Sequence, residues 1–217
     1  MKKITRKNCD GAMTLIEVLM IIAVLMLLAV FLLPRMVRPE RRSSRGTCIN
    51  NLKYIGLSFK QWALDNDDHF PMEVSTAKGG SREFVTTPEV FRHLQVLSNE
   101  LNTPKILVCP MDEDRTAAAS FSTGFGNSNL SYFVGLDAKA SAPSMFLSGD
   151  RNLTNGALLP NRILELKTNS AVGWTAEIHN QQGDVVLADS SVQAWGTTQL
   201  REGLQKSGVA TNRLAIP

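Results

Sequence analysis

The sequence predicts an α+β fold in which a long N-terminal helix, membrane-spanning at first and amphipathic after it, packs on an antiparallel sheet. Three observations predict it: an apolar run at residues 15–33 closed by Pro34, an apolar stripe recurring at three and four residues through 48–66, and short β-rich segments parted by turns over the rest of the chain. The chain has 217 residues, 43% of them hydrophobic. Beyond the apolar run 184 remain, enough to bury one sizeable core.

At ~1.5 Å per residue the apolar run reaches roughly 28 Å, close to the hydrocarbon thickness of a bilayer, so it reads as one span. Glu17 is the anomaly in it. An ionised acid in hydrocarbon costs on the order of 3 kcal/mol, so Glu17 is expected either at headgroup level or paired with a cation. Beyond the run, Arg35, Arg38, Arg41, Arg42 and Arg45 rival the leading Lys2, Lys3, Arg6 and Lys7, and charge counting alone leaves the orientation undecided. An ordinary secretory signal fits less well, because no small-x-small site precedes Pro34-Arg35. A lipoprotein signal fails because Cys9 comes before the run.

In residues 48–66, Ile49, Leu52, Ile55, Phe59, Trp62 and Ala63 lie on one helical face, whose plainest use is to cover a sheet. Pro34, Pro39, Ser43, Ser44 and Gly46 weaken helix propensity ahead of it, so one kinked helix and two jointed helices are both open. Thr87-Pro88 reads as the cap and first residue of a helix carrying Val90, Phe91, Leu94, Leu97 and Leu101. Strands are expected at 105–109, 129–136, 145–149, 172–178, 184–187 and 192–195, the last two as a hairpin turning at 188–191. A short helix is expected at 198–206.

The string Ala12-Met13-Thr14-Leu15-Ile16-Glu17-Val18-Leu19 resembles the cleavage and methylation motif of type IV prepilins and type II secretion pseudopilins. The resemblance makes the expected fold pilin-like. It implies a prepilin peptidase at the cytoplasmic face of the membrane that cuts between Ala12 and Met13 and N-methylates Met13. Glu17 then becomes the fifth mature residue and Pro34 the helix-kinking proline. Ala12 stands where Gly is commoner, and Met13 where Phe is. On this reading residues 1–12 are the leader, 13–34 the transmembrane and assembly helix, 35–66 a helix extension and 67–217 the globular domain. The expected location is the inner membrane, single-pass with a periplasmic globular part, and a periplasmic or extracellular filament after assembly. The freed amine of Met13 in one copy would meet Glu17 of a neighbour, where burial favours pairing.

A second string, Cys48-x-Asn50-Asn51-Leu52-Lys53-x-Ile55-Gly56, followed by Asp65-Asn66, Phe70-Pro71 and Cys109-Pro110-x-Asp112, is similar to a large group of bacterial pilin-like proteins. Many of these end with His, nine residues, then Asp-Gly. His179 and Asp189 keep that spacing, with Ser190 in the Gly position, where a residue that accepts positive φ is expected.

The formal charge of +3 resides in the leader: a cut after Ala12 removes four of 23 basic and one of 20 acidic residues, leaving 19 of each. A neutral mature chain argues for no nucleic-acid partner. Cys9 leaves with the leader, so Cys48 and Cys109 remain as an even pair in an oxidising compartment. They form either a disulfide closing a loop of about 60 residues or two separate thiols in apolar niches. Asp65, Asn66, Asp67 and Asp68 offer oxygen donors, and some type II major pseudopilins bind calcium. Their spacing is not an EF-hand loop, and solvation of a helix end explains them as well. His69, His93 and His179 lack the spacing of a transition-metal site. No P-loop, dinucleotide fingerprint or nucleophile elbow is present, so neither a cofactor nor an enzyme is expected.

The expected function is therefore a structural subunit of a type IV pilus or type II secretion pseudopilus-like filament. Its partners are prepilin peptidase, copies of itself, other pilins or pseudopilins and inner-membrane lipid. The alternatives are an anchored module that recognises a polysaccharide or surface through exposed aromatics such as Trp174 and Trp195, and an anchored enzyme with a polar cleft.

Overall fold

Thr14 opens the first helix, α1 (Leu15–Met36). Its backbone N–H and its hydroxyl both donate to Glu17 Oε2, at 2.9 and 3.1 Å. Thr-x-x-Glu is the spacing at which a carboxylate in the first turn reaches back to an orphan donor at the helix start. The computed structural model describes residues 14–36, 39–154 and 157–217. It divides into two compact units, Met1–Arg42 and Ser43–Pro217.

Among the described residues no helix is long and apolar enough to cross a membrane. This overturns the expected membrane-spanning first helix, and with it the inner-membrane, single-pass location and the periplasmic placement drawn from it. The finding rests on the apolar stretch of α1 whose side chains are described. Side chains of α1 are described through Ala29, and residues 15–29 reach only about 22 Å, short of the ~30 Å hydrocarbon core. The coarser class stands: the fold is α+β with an antiparallel sheet.

The second helix, α2 (Pro39–Leu64), starts at a proline, which costs little at a first helical position. In its second half Cys48, Leu52, Ile55, Phe59, Trp62 and Ala63 are buried, and Ile49 only partly. Past its end Asp67 and Asp68 take φ of 55° and 57°, a left-handed turn that Asp tolerates better than most residues.

Among the described residues nine strands follow: β1 (Tyr132–Gly135), β2 (Phe146–Asp150), β3 (Leu153–Thr154), β4 (Ala157–Leu158), β5 (Ile163–Lys167), β6 (Gly173–Trp174), β7 (Gln182–Leu187), β8 (Val192–Gly196) and β9 (Thr211–Ala215). Seven form one sheet in the order β4-β5-β9-β1-β2-β7-β8, every pair antiparallel, while β3 and β6 make a small separate ladder. The period of two sorts the large sheet's side chains onto two faces. Tyr132, Val134, Leu147 and Val186 join the core under α2. Phe133, Phe146, Val185 and Leu214 join a second core with Leu200 and Leu204. Those two leucines belong to α5 (Thr197–Lys206), so a helix covers each face. In α5, Gly203 is where the Trp195 ring packs: a Cβ there would lie 2.5 Å from that ring.

Several expected elements differ. The strand expected at 105–109 is a 3₁₀ turn, Pro104–Leu107, because Thr103 caps it and Pro104 occupies its first position. The helix expected after Thr87-Pro88 is two short ones, α3 (Phe91–Gln95) and α4 (Ser98–Leu101), parted at Leu97 with ψ of 15°. Of residues 172–178 only β6 is strand.

His93, in α3, is buried with Nδ1 2.8 Å from Ser81 Oγ. Burial pushes its pKa from 6.5 down to about 4. Below pH 6.5 the unfolded chain takes a proton here that the folded chain refuses until about pH 4. This site's contribution is therefore complete above pH 6.5 and is lost as pH falls through that window, by about 3 kcal/mol in all. Urea unfolding of wild type and His93→Gln at pH 7 and pH 4.5 should show the wild type's advantage shrinking by about 2–3 kcal/mol at the lower pH. A pH-independent difference would count against a neutral buried imidazole.

Candidate functional site

Two features of the fold bear on function. In α1, every large apolar residue within 15–28 is between 42% and 82% exposed. Because these residues are nearly consecutive, they ring the whole circumference, unlike the single stripe of a helix that packs on its own domain. Glu17 is exposed at the start of this surface. Its carboxyl is held below the ordinary range, first by the Thr14 N–H and then by the Thr14 hydroxyl. Ala12 and Met13, the expected cut site, lie outside the described residues, as does the side chain of Pro34.

The second feature is a polar cluster buried beneath α2. The register Tyr132↔Asp150 and Gly149↔Val185 sets Tyr132, Asp150 and Asp184 in a row across β1, β2 and β7, on the face toward α2. His179 enters from the segment before β7. Its Nε2 lies 3.4 Å from Asp150 Oδ2 and 3.7 Å from Asp184 Oδ2, and the three side chains are 1%, 0% and 0% exposed. The Asp184 N–H donates to Asp150 Oδ2 at 2.7 Å. Arg45, from α2, sits 3.3 Å from Asp184 Oδ1 and also donates to Gln182 Oε1. Cys48 and Cys109 are joined as a disulfide, Cα atoms 5.1 Å apart. The Cys109 Sγ is 3.6 Å from the same His179 Nε2.

The electrostatics follow from burial. Desolvation raises Asp150 well above the ordinary carboxyl range, helped by the neighbouring Asp184. Desolvation also raises Asp184, against the pull of Arg45. Burial, then Arg45, pushes His179 down to about 4. Each group is driven toward its uncharged form, the arrangement of a cluster short of counter-charge.

No protein-family model matches the chain, and no curated protein or solved structure matches it either.

The residues quoted from 48 to 190 for the second resemblance fall at several places in the fold. Asn51 donates to the Val108 carbonyl at 3.2 Å, next to the disulfide. Asp112 is buried and takes a bidentate pair of 2.8 Å bonds from Arg151 Nε and Nη2, while Asp114 and Glu177 lie on the same guanidinium. Phe70 packs edge-on against Phe59, centroids 5.8 Å apart. At Gly56 α2 lies close against β7: a Cβ there would fall 2.6 Å from Val186 Cγ2. Ser190 adopts φ of 69°, the conformation glycine takes without strain, and its hydroxyl donates to the Gly56 carbonyl at 3.0 Å. His179 and Asp189 are not brought together. Asp189 is exposed and accepts the Ser191 N–H at 2.8 Å, whereas His179 meets Asp150 and Asp184. Asp65, Asp67 and Asp68 are exposed past the end of α2 and form no convergent ligand set among the described residues.

Sequence reasoning missed Asp150, Asp184 and Arg45 as members of a site. Asp184 carried the one usable signal, an acid opening the β-branched run Val185-Val186 of an expected buried strand.

Proposed function

We propose that this chain is a structural subunit of a filament of the type IV pilus or type II secretion pseudopilus kind, cut between Ala12 and Met13 by prepilin peptidase and joined to its copies through α1. The observation that carries the reading is the exposure of apolar side chains all round α1. Ser43–Pro217 meanwhile builds its buried core from residues at and beyond Cys48. An apolar surface of that extent is stable in water only when covered, and head-to-tail stacking of copies covers it along a helical axis without closing a ring. Other pilins or pseudopilins of the same filament meet the same surface.

The two tryptophans named for the recognition alternative are not exposed. Trp174 is buried, and Trp195 is half-buried against Phe146, ring centroids 5.6 Å apart.

Glu17 has two roles to separate, capping its own helix through Thr14 and pairing with the Met13 amine of a neighbour. Glu17→Gln keeps an oxygen that accepts the Thr14 N–H but loses the charge; Glu17→Ala loses both. Both variants are expected to be cut normally and to yield about tenfold fewer filaments or less, the factor that goes with losing ~1.4 kcal/mol per contact. Filament yield is counted by electron microscopy of sheared fractions. A Glu17→Gln chain that assembles like wild type would confine Glu17 to capping. Mass spectrometry of the protein from its native host should find N-methylated Met13 as the first residue, and a chain that retains Met1 would sink the peptidase step.

A further inference from the structure

We propose that Asp150, His179 and Asp184 form a binding site for a divalent transition-metal ion of the zinc class. One nitrogen and two carboxylates are a donor set that zinc accepts. The three groups come from β2, the segment before β7, and β7 itself, and their candidate ligand atoms all lie within 4.8 Å of one another.

The spacing is that of ligands around an ion and is too wide for hydrogen bonds. An N–H···O bond places its heavy atoms at about 2.7–3.2 Å, whereas His179 Nε2 stands 3.4 Å from Asp150 Oδ2 and 3.7 Å from Asp184 Oδ2. Ligands held tetrahedrally at about 2.0–2.1 Å from zinc are about 3.4 Å from each other. A second, independent observation points the same way. Asp184 Oδ2 and Asp150 Oδ1 have no hydrogen-bond partner among the described residues, although both side chains are fully buried. Buried carboxylate oxygens left without donors are costly, and a bound cation supplies what they lack.

The surroundings orient the two carboxylates as outer partners of metal sites do. The Asp184 N–H fixes Asp150 through Oδ2, and Arg45 holds Asp184 by Oδ1, leaving Oδ2 toward His179. Ligation requires both carboxylates ionised, and two of them against one guanidinium leave a net negative charge for the ion to offset. The disulfide keeps Cys109 Sγ out of the thiolate state, although it stands 3.6 Å from the same nitrogen. A fourth ligand is therefore water. With all three side chains buried, the ion enters as the chain folds, and it ties the β2–β7 pair to the segment carrying His179 as a structural metal does.

The test uses the full-length, disulfide-intact protein unfolded in urea with EDTA and refolded with or without zinc chloride alone, read by metal analysis after gel filtration and by thermal unfolding. One equivalent should be retained per chain. Saturating zinc should raise Tm by about 5 °C or more, and cobalt(II) in place of zinc should give the intense visible bands of a tetrahedral site. His179→Gln and Asp184→Asn, checked for folding by circular dichroism, should lose the equivalent and the Tm rise together. The triple variant Asp65→Asn, Asp67→Asn, Asp68→Asn should keep both. Absence of a retained equivalent and of any Tm change in the wild type overturns the proposal. So does binding that survives in both cluster variants or disappears in the surface triple variant. The cobalt spectrum of the wild type needs no variant, so a folding failure of either variant leaves the proposal open to refutation.

Discussion

Replacing Cys48 and Cys109 together by alanine should lower stability by about 4 kcal/mol and Tm by about 10 °C. The bond joins residues 61 apart in sequence, and a loop of that length is a large restriction on the unfolded chain. Its removal lets the unfolded ensemble expand, so the urea m-value should rise as the midpoint falls. The native state loses packing too, since both sulfurs sit in a fully buried core and alanine leaves their space empty. It also loses the tie between α2 and the segment leading from the Pro104–Leu107 turn to Asp112, a segment otherwise held to α2 by the Asn51 to Val108 hydrogen bond. A double variant within about 1 kcal/mol of wild type, with an unchanged m-value, would mean the bond does not form in the purified protein. Non-reducing peptide mapping of the wild type is the companion measurement.

The parts of this fold legible in the sequence are those where a single periodicity runs long enough. The α2 face is one, because Leu52, Ile55, Phe59 and Trp62 repeat at helical spacing over nearly three turns and all are buried. The β7–β8 hairpin is another: a β-rich run, a polar four-residue turn and a second run pair with Val186 opposite Val192. Short elements were less legible. β5 and β9 pair with each other over five residues and were not expected as strands, although Pro160-Asn161, Thr168-Asn169-Ser170 and Gly208 flank them as turn residues. The 104–107 turn looked like a strand because its apolar residues are contiguous, while the Thr103-Pro104 pair that bends it was not weighed.

The polar cluster was illegible for a different reason. Its members are Arg45, Asp150, His179 and Asp184, more than a hundred residues apart at the extremes, and they meet only through sheet register and the placement of α2. Sequence spacing rules for metal ligands see neighbours on one helix or one loop, and no such pair exists here. The Thr14–Glu17 contact was legible in principle, since Thr-x-x-Glu ahead of an apolar run is a capping signature. The cost of a carboxylate within an apolar run is the louder signal at the same residue. That run also prompted the membrane reading, which treated hydropathy over the sequence as equivalent to a described apolar helix long enough to span; the structure gives no such helix among its described residues.

Gly135→Ala should be the most damaging small substitution in the sheet, with a loss of about 4 kcal/mol or more. A Cβ at Gly135 would sit 1.8 Å from the Phe146 carbonyl oxygen and 2.9 Å from its carbon. Both atoms are backbone, so no rotamer relieves the contact. Gly135 ends β1, which lies fourth of seven strands, with β2 on one side and β9 on the other. To admit the methyl, β1 must part from β2 or tilt away from β9, and either breaks ladder bonds at the middle of the sheet where water cannot replace them. Little soluble folded protein is expected, and circular dichroism of what is recovered should show lost strand signal. Gly46→Ala is the contrasting case. Gly46 is an exposed residue within α2 with nothing within 4 Å of its added Cβ, so the same methyl should stabilise by about 0.5–1 kcal/mol through helix propensity and the unfolded chain's lost freedom. The two substitutions add the same atom, and the difference in sign isolates backbone proximity as the cause. If both behaved alike, the approach of Gly135 to the Phe146 carbonyl would be wrong, and with it the β1–β2 register that sets Tyr132 beside Asp150.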